Sequence, residues 1–312
     1  MALNQEIWQQ YIMEQLYKDN EFLNYAANVS SDNIVNGKYV HIPNAGAKPG
    51  AQKNRVTVPA SISKRTDVDV IYALDEFTSD PTYIENVEKV ELSYDKINSA
   101  LVSHVNSLKE TLADSMIYNW LLKNTAAAPT TAVAWASGEC VAMTGTNANN
   151  GPTGASRKTM NAAALRSARL IMNKANVSKE NRFALLTSTM YDELLLELST
   201  SSVANIELLK AADLPKGVLL RLYGFNIIER SSVALFSSLS VQAPGTTETS
   251  SMMYGGFCWQ QDMIEKAVGE VKMFENQNDP VLYGDVYSAL VRAGGRARYS
   301  GATGVVPIIQ AT

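Results

Sequence analysis

Cysteine and histidine are nearly missing from this chain of 312 residues, which holds two of each. Cys140 and Cys258 allow one disulfide at most. They cannot supply the clustered ligands of a zinc site or the staples of a small secreted scaffold. His41 and His104 do not stand at metal-ligand spacing, and a Ser-His-Asp triad would have to use one of them. His41 falls in an expected strand and His104 on the flank of an expected helix, so a partly buried structural role is the expectation for both. No run approaches the ~18 apolar residues of a membrane span. The opening MALNQEIWQQYIMEQ is amphipathic and polar, without the apolar core of a signal peptide. Charge of one sign is also scarce. With 27 basic and 31 acidic residues the formal net charge is -4, which argues against a strong non-specific grip on nucleic acid. There is no phosphate loop, no GxGxxG after a strand and no GxSxG. These absences lead to the expectation of a protein made in a reducing cytoplasm, with no cofactor, no metal and no catalytic residues.

Carboxylates are present, and two within reach of each other could run glycoside hydrolysis. Glu88, Glu91, Asp192, Glu193 and Glu197 are the candidates, but a chain of this length always contains such pairs. Asp192 and Glu193 are expected on the solvated face of a helix. Tyr83, Tyr94, Trp120, Trp135 and Trp259 are scattered and form no ladder for sugars or bases.

The dominant positive feature runs from Ser93 to Leu122 without proline or glycine. Ile97, Leu101, Val105, Leu108, Leu112, Met116 and Trp120 recur every three or four residues, which places one apolar stripe on one helical face. Ser93 is the candidate N-cap. Such a helix is roughly 45 Å long at 1.5 Å per residue. The stripe alone equally suits a coiled coil or an ordinary helical layer.

Upstream, residues 4–18 read as a short amphipathic helix carrying Trp8 and Tyr11. An extended polar arm follows, in which only KYVHIP alternates, with Val40 and Ile42 on one side. Residues 54–76 read as two strands, RVTVPASI with Val56 and Val58, and TDVDVIYALDEF with Val68, Val70 and Tyr72, joined as a hairpin through SISKR. A lone two-stranded ribbon is marginal in water, so it packs either on its own body or on another molecule. Downstream, the loop 125–157 contains one candidate strand at Val133–Trp135. Helices are expected at 159–175, 189–198, 203–211 and 257–266. Strands are expected at 183–187, 218–229 (broken at Gly224), 270–275, 281–300 and in the final VVPII, with a surface loop at 237–250. Arg292, Arg296 and Arg298 flank Gly294 and Gly295. This is either a contact with a phosphate or an acidic partner, or a solvated strand end with a bulge. Strands on both sides of a helical middle make the class α+β.

The order of these elements resembles the major capsid protein of tailed bacteriophages, the HK97-like (Hong Kong 97) fold. Local wording carries it. TGTNANNGPTGASRKTMNAAALRSARLIMNKANVSKENRFALLTSTMYDELL is similar to the segment entering the axial domain of short-tailed phage capsid proteins, through Thr144, Gly145, Thr153, Gly154, Val177, Arg182, Tyr191 and Leu194. GVLLRLYGFNIIERSSV matches at Gly217, Leu222, Gly224, Phe225 and Ser231. NDPVLYGDVYSALVRAGGRARYSG resembles the closing strand, with Ala293 in place of the usual aromatic before Gly294.

The resemblance implies an N-terminal arm (1–48), an extended β-hairpin loop (49–88) and a spine helix with the first part of a peripheral domain (89–157). An axial domain (158–256), peripheral return strands (257–300) and a C-terminal strand (301–312) follow. It implies a structural subunit that self-assembles into hexamers and pentamers of an icosahedral head around double-stranded DNA. That DNA is held without sequence-specific binding, the shell is assembled in the host cytoplasm, and no membrane is involved. The interface residues expected are Val56, Val58, Val68, Val70 and Tyr72 for the loop, Trp8 and Tyr11 for the arm, and Arg292 and Arg296. Some family members crosslink a loop lysine to a neighbour. Lys53 and Lys64 are placed for this, but no matching asparagine or catalytic glutamate is identifiable, so no crosslink is expected. The loop begins by about residue 49, so no cleaved scaffolding segment is expected, and a separate scaffolding protein and a portal are the implied partners. Two alternatives stay open: an encapsulin-like nanocompartment shell around a protein cargo, and a soluble α+β hydrolase using a carboxylate pair.

Overall fold

The computed structural model describes residues 20–29, 39–46, 48–56, 58–60, 62, 64–85, 95–123, 133–201, 221–279 and 283–312. Trp8, Tyr11, Glu88, Glu91, Ser93 and the helical stretch expected at 203–211 lie outside these residues.

In chain order the strands are β1 (Ala27–Asn28), β2 (Tyr39–Asn44), β3 (Val68–Ala73), β4 (Asp75–Thr78), β5 (Thr82–Glu85), β6 (Val141–Ala142), β7 (Asn147–Ala148), β8 (Arg157–Lys158), β9 (Arg182–Thr187), β10 (Arg221–Leu222), β11 (Phe225–Arg230), β12 (Ala234–Ser237), β13 (Ser240–Val241), β14 (Met253–Gln260), β15 (Ile264–Asp279), β16 (Gly284–Ala297) and β17 (Val305–Ile309). The α-helices among the described residues are α1 (Asp95–Leu121), α2 (Ala162–Lys174) and α3 (Ser188–Ser201).

The apolar stripe of α1 does what its spacing requires. Val105, Leu108, Leu112, Met116 and Trp120 are all buried, joined by Ala113, Ile117 and Leu121. They share one core with both large sheets. Trp120 ends the stripe. Its indole Nε1 donates to the Glu265 carbonyl at 3.0 Å, and its ring meets Phe22, Phe257 and Trp259 at centroid distances of 5.9, 6.4 and 6.5 Å.

The eight-stranded sheet runs β10-β11-β9-β14-β12-β13, with β17 on β14 and β6 on β17. Both its faces are covered. Along β9, Phe183 and Leu185 face the α1 side while Ala184 and Leu186 face α2 and α3, the two-residue alternation of a strand. This two-sided burial explains one correction. Residues 257–266, expected as a helix, are the end of β14, a 3-10 turn at Gln261–Met263 and the start of β15. A strand buried on both faces reads as an unbroken apolar run, Phe257-Cys258-Trp259, which periodicity cannot tell from a helix. Trp135 likewise stands in irregular chain rather than a strand. Its amide bonds the Leu239 carbonyl at 2.9 Å and its indole bonds the Leu121 carbonyl at 3.1 Å.

The five-stranded sheet runs β1-β15-β16-β4, with β5 also on β16. Ahead of it, a 3-10 turn at Glu21–Tyr25 is clamped into the core. Tyr25 stacks on Phe183 at 4.2 Å, and the Trp259 indole donates to the Tyr25 carbonyl at 2.9 Å.

Gly294 and Gly295 lie in β16 in unbroken register with β15. The bulge expected at them sits instead on β15, between Val268 and Val271. The glycines are buried, and they are small because neighbours press on them. A Cβ on Gly294 would stand 2.5 Å from the Ala73 carbonyl oxygen. On Gly295 it would stand 2.6 Å from that of Glu265 and 3.0 Å from Trp120 Nε1.

A two-stranded sheet pairs β2 with β3, Ile42 opposite Val70. The expected hairpin partner of β3 was 55–62. Pro59 lies inside that run, and proline cannot donate to a ladder. KYVHIP takes its place, and Val40 and Ile42 pack against Tyr72, Leu74 and Ala267.

Candidate assembly surfaces

Between β2 and β3 the chain makes an excursion over residues 46–67, and its base is bolted to the body. Glu265, buried on β15, accepts from the Tyr72 hydroxyl through Oε1 at 3.1 Å and from Arg298 Nε through Oε2 at 2.8 Å. Arg296 Nη1 donates to the Ile71 carbonyl at 2.6 Å, and Asn44 Nδ2 donates to the Arg298 carbonyl at 2.9 Å. Burial pushes the Tyr72 phenol pKa up, and the Glu265 carboxylate beside it pushes it further. Burial alone pulls the neighbouring Lys266 down to about 8. Tyr72→Phe removes one hydrogen bond to a buried carboxylate and is expected to cost ~1.5–3 kcal/mol in urea unfolding, with no change in the slope of the transition.

At the neck of the excursion the Gly46 amide and Arg65 Nε both donate to Asp67 Oδ1, at 2.8 and 2.6 Å. These two bonds, the Gly46 amide first, hold the Asp67 carboxyl below its usual range. His41 Nδ1 and Asp69 Oδ2 meet at 2.6 Å on the exposed side of the ribbon.

Beyond the neck, every described residue from 48 to 66 is exposed. Val56 is 95% exposed, Val58 80% and Ile62 99%. Ile62 was not among the residues singled out from the sequence, although the two-residue step from Val56 through Val58 and Ala60 reaches it. The excursion carries Lys48, Lys53, Arg55, Lys64 and Arg65 against the single acid Asp67, in a chain that is acidic overall.

The remaining expected interface residues divide. Val68 is partly exposed, but Val70 is 2% and Tyr72 4% exposed, so both are covered by their own chain. Strand alternation distinguishes two faces without saying which molecule covers each. Arg296 is also buried and committed to Ile71. Arg292 is half-buried, and its Nε has no hydrogen-bond partner among the described residues.

Two of the carboxylates considered for catalysis, Glu193 and Glu197, have structural occupations. Glu193 Oε2 accepts from the Met160 amide at 2.7 Å, and Glu197 Oε2 from the Ala162 amide at 2.6 Å. Both anions thus serve the free amides at and before the N-terminus of α2, where the helix dipole favours negative charge. Asp192 is exposed. His104 is buried, its pKa lowered by desolvation against a smaller opposing pull from Asp80. Among the described residues there is no group of three metal-ligating side chains, and no helix is long and apolar enough to cross a membrane.

Comparison with known proteins supplies the context for an exposed apolar excursion on a bolted base. A family model described as phage capsid protein matches residues 14–277. No curated protein matches. Among solved structures, the chain is similar to one from Mycobacterium phage Che8, with TM-score 0.59, 18% identity, and coverage of 92% of this chain and 90% of that one. The capsid asymmetric unit of cyanophage Pam1 aligns with TM-score 0.62 at 12% identity, over 91% of this chain and 87% of that one. A virus-like particle from Pyrococcus furiosus aligns with TM-score 0.52 at 12% identity, over 98% and 99%. At these identities the structural likeness speaks for the fold.

Proposed function

This chain belongs to the phage capsid protein family and is a major capsid protein of a phage head, and from that premise we propose how its surfaces build the shell. Copies associate into hexamers and pentamers, with the 46–67 excursion of one copy lying on the next. The observation that carries this is the exposure of Val56, Val58 and Ile62. Three apolar side chains on an extended, polar segment cannot bury one another, and such segments offset their ordering cost by burial on a partner. The five cations around them oppose in sign the net charge of the whole chain, as contact between copies requires. Among the interface residues expected from the sequence, Val56, Val58 and Val68 keep this role. Val70, Tyr72 and Arg296 hold the base in place. Arg292, Trp8 and Tyr11 remain proposed contacts.

By the same reading, α1 is the spine, residues 158–256 the axial domain and residues 257–300 the peripheral return. The shell encloses double-stranded DNA without sequence-specific contacts, is assembled in the host cytoplasm with a separate scaffolding protein and a portal, and does no catalysis. Negative-stain electron microscopy with light scattering tests it on the protein expressed alone and with its neighbouring genes. Closed or aberrant shells of many subunits are the expected result. A discrete monomer under both conditions, with neither rings nor shells, overturns the reading. Shells from the native host that hold a protein cargo and no DNA would point to a nanocompartment instead.

A further inference from the structure

The axial part of the chain holds a cavity of about 260 Å³ lined by Arg169, Asn173, Lys179, Arg182, Tyr223 and Gly224. The end of α2 forms one wall. The β10–β11 hairpin forms another, through a turn whose residues Tyr223 and Gly224 both have positive φ, 49° and 85°. Three cations therefore converge on one space. Arg182 is 2% exposed, and burial first and the Arg169 guanidinium second depress its pKa. None of the three forms an ion pair among the described residues. Arg182 Nε and Nη2 donate to the carbonyls of Ser178 and Val177 at 2.7 and 2.8 Å, which leaves Nη1 uncommitted. Carbonyls satisfy donors but carry no full charge, and a buried cation without a counter-charge is costly. The C-terminus of α2 offers only roughly half a negative charge against three positive ones.

Asn173 adds an independent sign. Its Oδ1 is buried with no hydrogen-bond partner among the described residues. Turning the amide over puts the donor Nδ2 in place of that orphaned acceptor, and the donor then needs an acceptor. Cations, an orphaned amide and room for several waters together lack one component, a compact anion.

We propose that this cavity binds a small oxyanion, held chiefly by Arg169, Lys179, the free edge of Arg182 and Asn173. A free phosphate or sulfate and a carboxylate carried by a neighbouring copy share this chemistry.

Inorganic phosphate is the probe, titrated calorimetrically into the full unassembled chain at constant ionic strength. Because the readout precedes assembly, its failure is separable from failure of the shell reading. Saturable binding is expected. Arg169→Ala keeps a good helix former at its position. It should weaken phosphate at least ~10-fold, the loss of one charged hydrogen-bond partner. Arg166→Ala makes the same charge change one turn earlier, outside the cavity, and should leave binding unchanged. No saturable binding, equal binding by Arg169→Ala, or equal weakening by Arg166→Ala overturns the site. Shell assembly then identifies the source. If phosphate slows assembly of the native chain but not of Arg169→Ala, a neighbour's carboxylate occupies the site. If assembly is indifferent to phosphate, the occupant is the free anion.

Discussion

Replacing Val56, Val58 and Ile62 together by aspartate is expected to leave the subunit folded and to abolish shell formation. All three side chains are open to solvent in the single chain, so the substitutions remove no packing from the subunit, and its unfolding midpoint should move by less than about 1 °C, the effect of a few tenths of a kcal/mol. In a contact between copies the balance is different. Each covered aliphatic side chain contributes ~1.5–3 kcal/mol, and each aspartate would bring a charge into the place it vacates. Since about 1.4 kcal/mol is a factor of ten in an association constant, losing even two of the three should lower assembly at least ~100-fold. Light scattering during assembly and sedimentation of the products give the readout. Normal shells from the triple variant would remove the excursion from the interface, whatever else holds the shell together. Val70→Asp makes the complementary control, because Val70 is buried in the chain. It should fail in folding before assembly can be asked about.

The second large effect concerns Trp120 and Gly295, which meet where α1 crosses β16. Trp120→Ala should cost ~3–5 kcal/mol, a large fraction of the ~5–15 kcal/mol that a domain has. The indole is fully buried and belongs to an aromatic cluster with Phe22, Phe257 and Trp259. Its loss also leaves the Glu265 carbonyl without its side-chain donor. Gly295→Ala damages the same contact from the other side. The new methyl would stand 2.6 Å from the Glu265 carbonyl oxygen and 2.8 Å from Met116 Sδ, an overpacking expected to cost ~1–3 kcal/mol. In the double variant the methyl gains part of the volume the indole vacated, so the two costs should sum to less than their separate values. Urea titrations of the four proteins measure this. Strict additivity would mean that the pair does not share the contact described.

How far these features were legible in the sequence depends on whether their cause is local. The stripe from Val105 to Trp120 is local, and it placed the end of α1 to within one residue. The alternation along β16 is local too, with Tyr287, Ala289 and Val291 buried on one face. What stayed hidden has partners far away in the chain. Tyr72 reads as a strand aromatic free to meet a neighbour, and the carboxylate that holds it is 193 residues downstream. Gly294 and Gly295 resemble a bulge because a short sequence cannot reveal what presses on it from β3 and α1. Glu193 looks solvated along its own helix, since the amide it serves belongs to another element. The exposed excursion was legible in kind but not in membership. The two-residue step in RVTVPASI identifies a row of apolar side chains, while only the burial of Val70 and Tyr72 separates the base from the part that projects.

The clamp on Tyr25 sets a clock on synthesis. Its indole partner, Trp259, leaves the ribosome 234 residues later, roughly 10–50 s at ~5–20 residues per second. The bolt beneath the excursion closes later still, because Arg296 and Arg298 follow Trp259 in the chain. Contacts of such long range fold slowly, and here they fold late by construction. A chain cut short before Glu265 and Arg298 lacks the side chains that bolt the base of the excursion to the body. Translation must therefore pass residue 298 before the base of the excursion is complete.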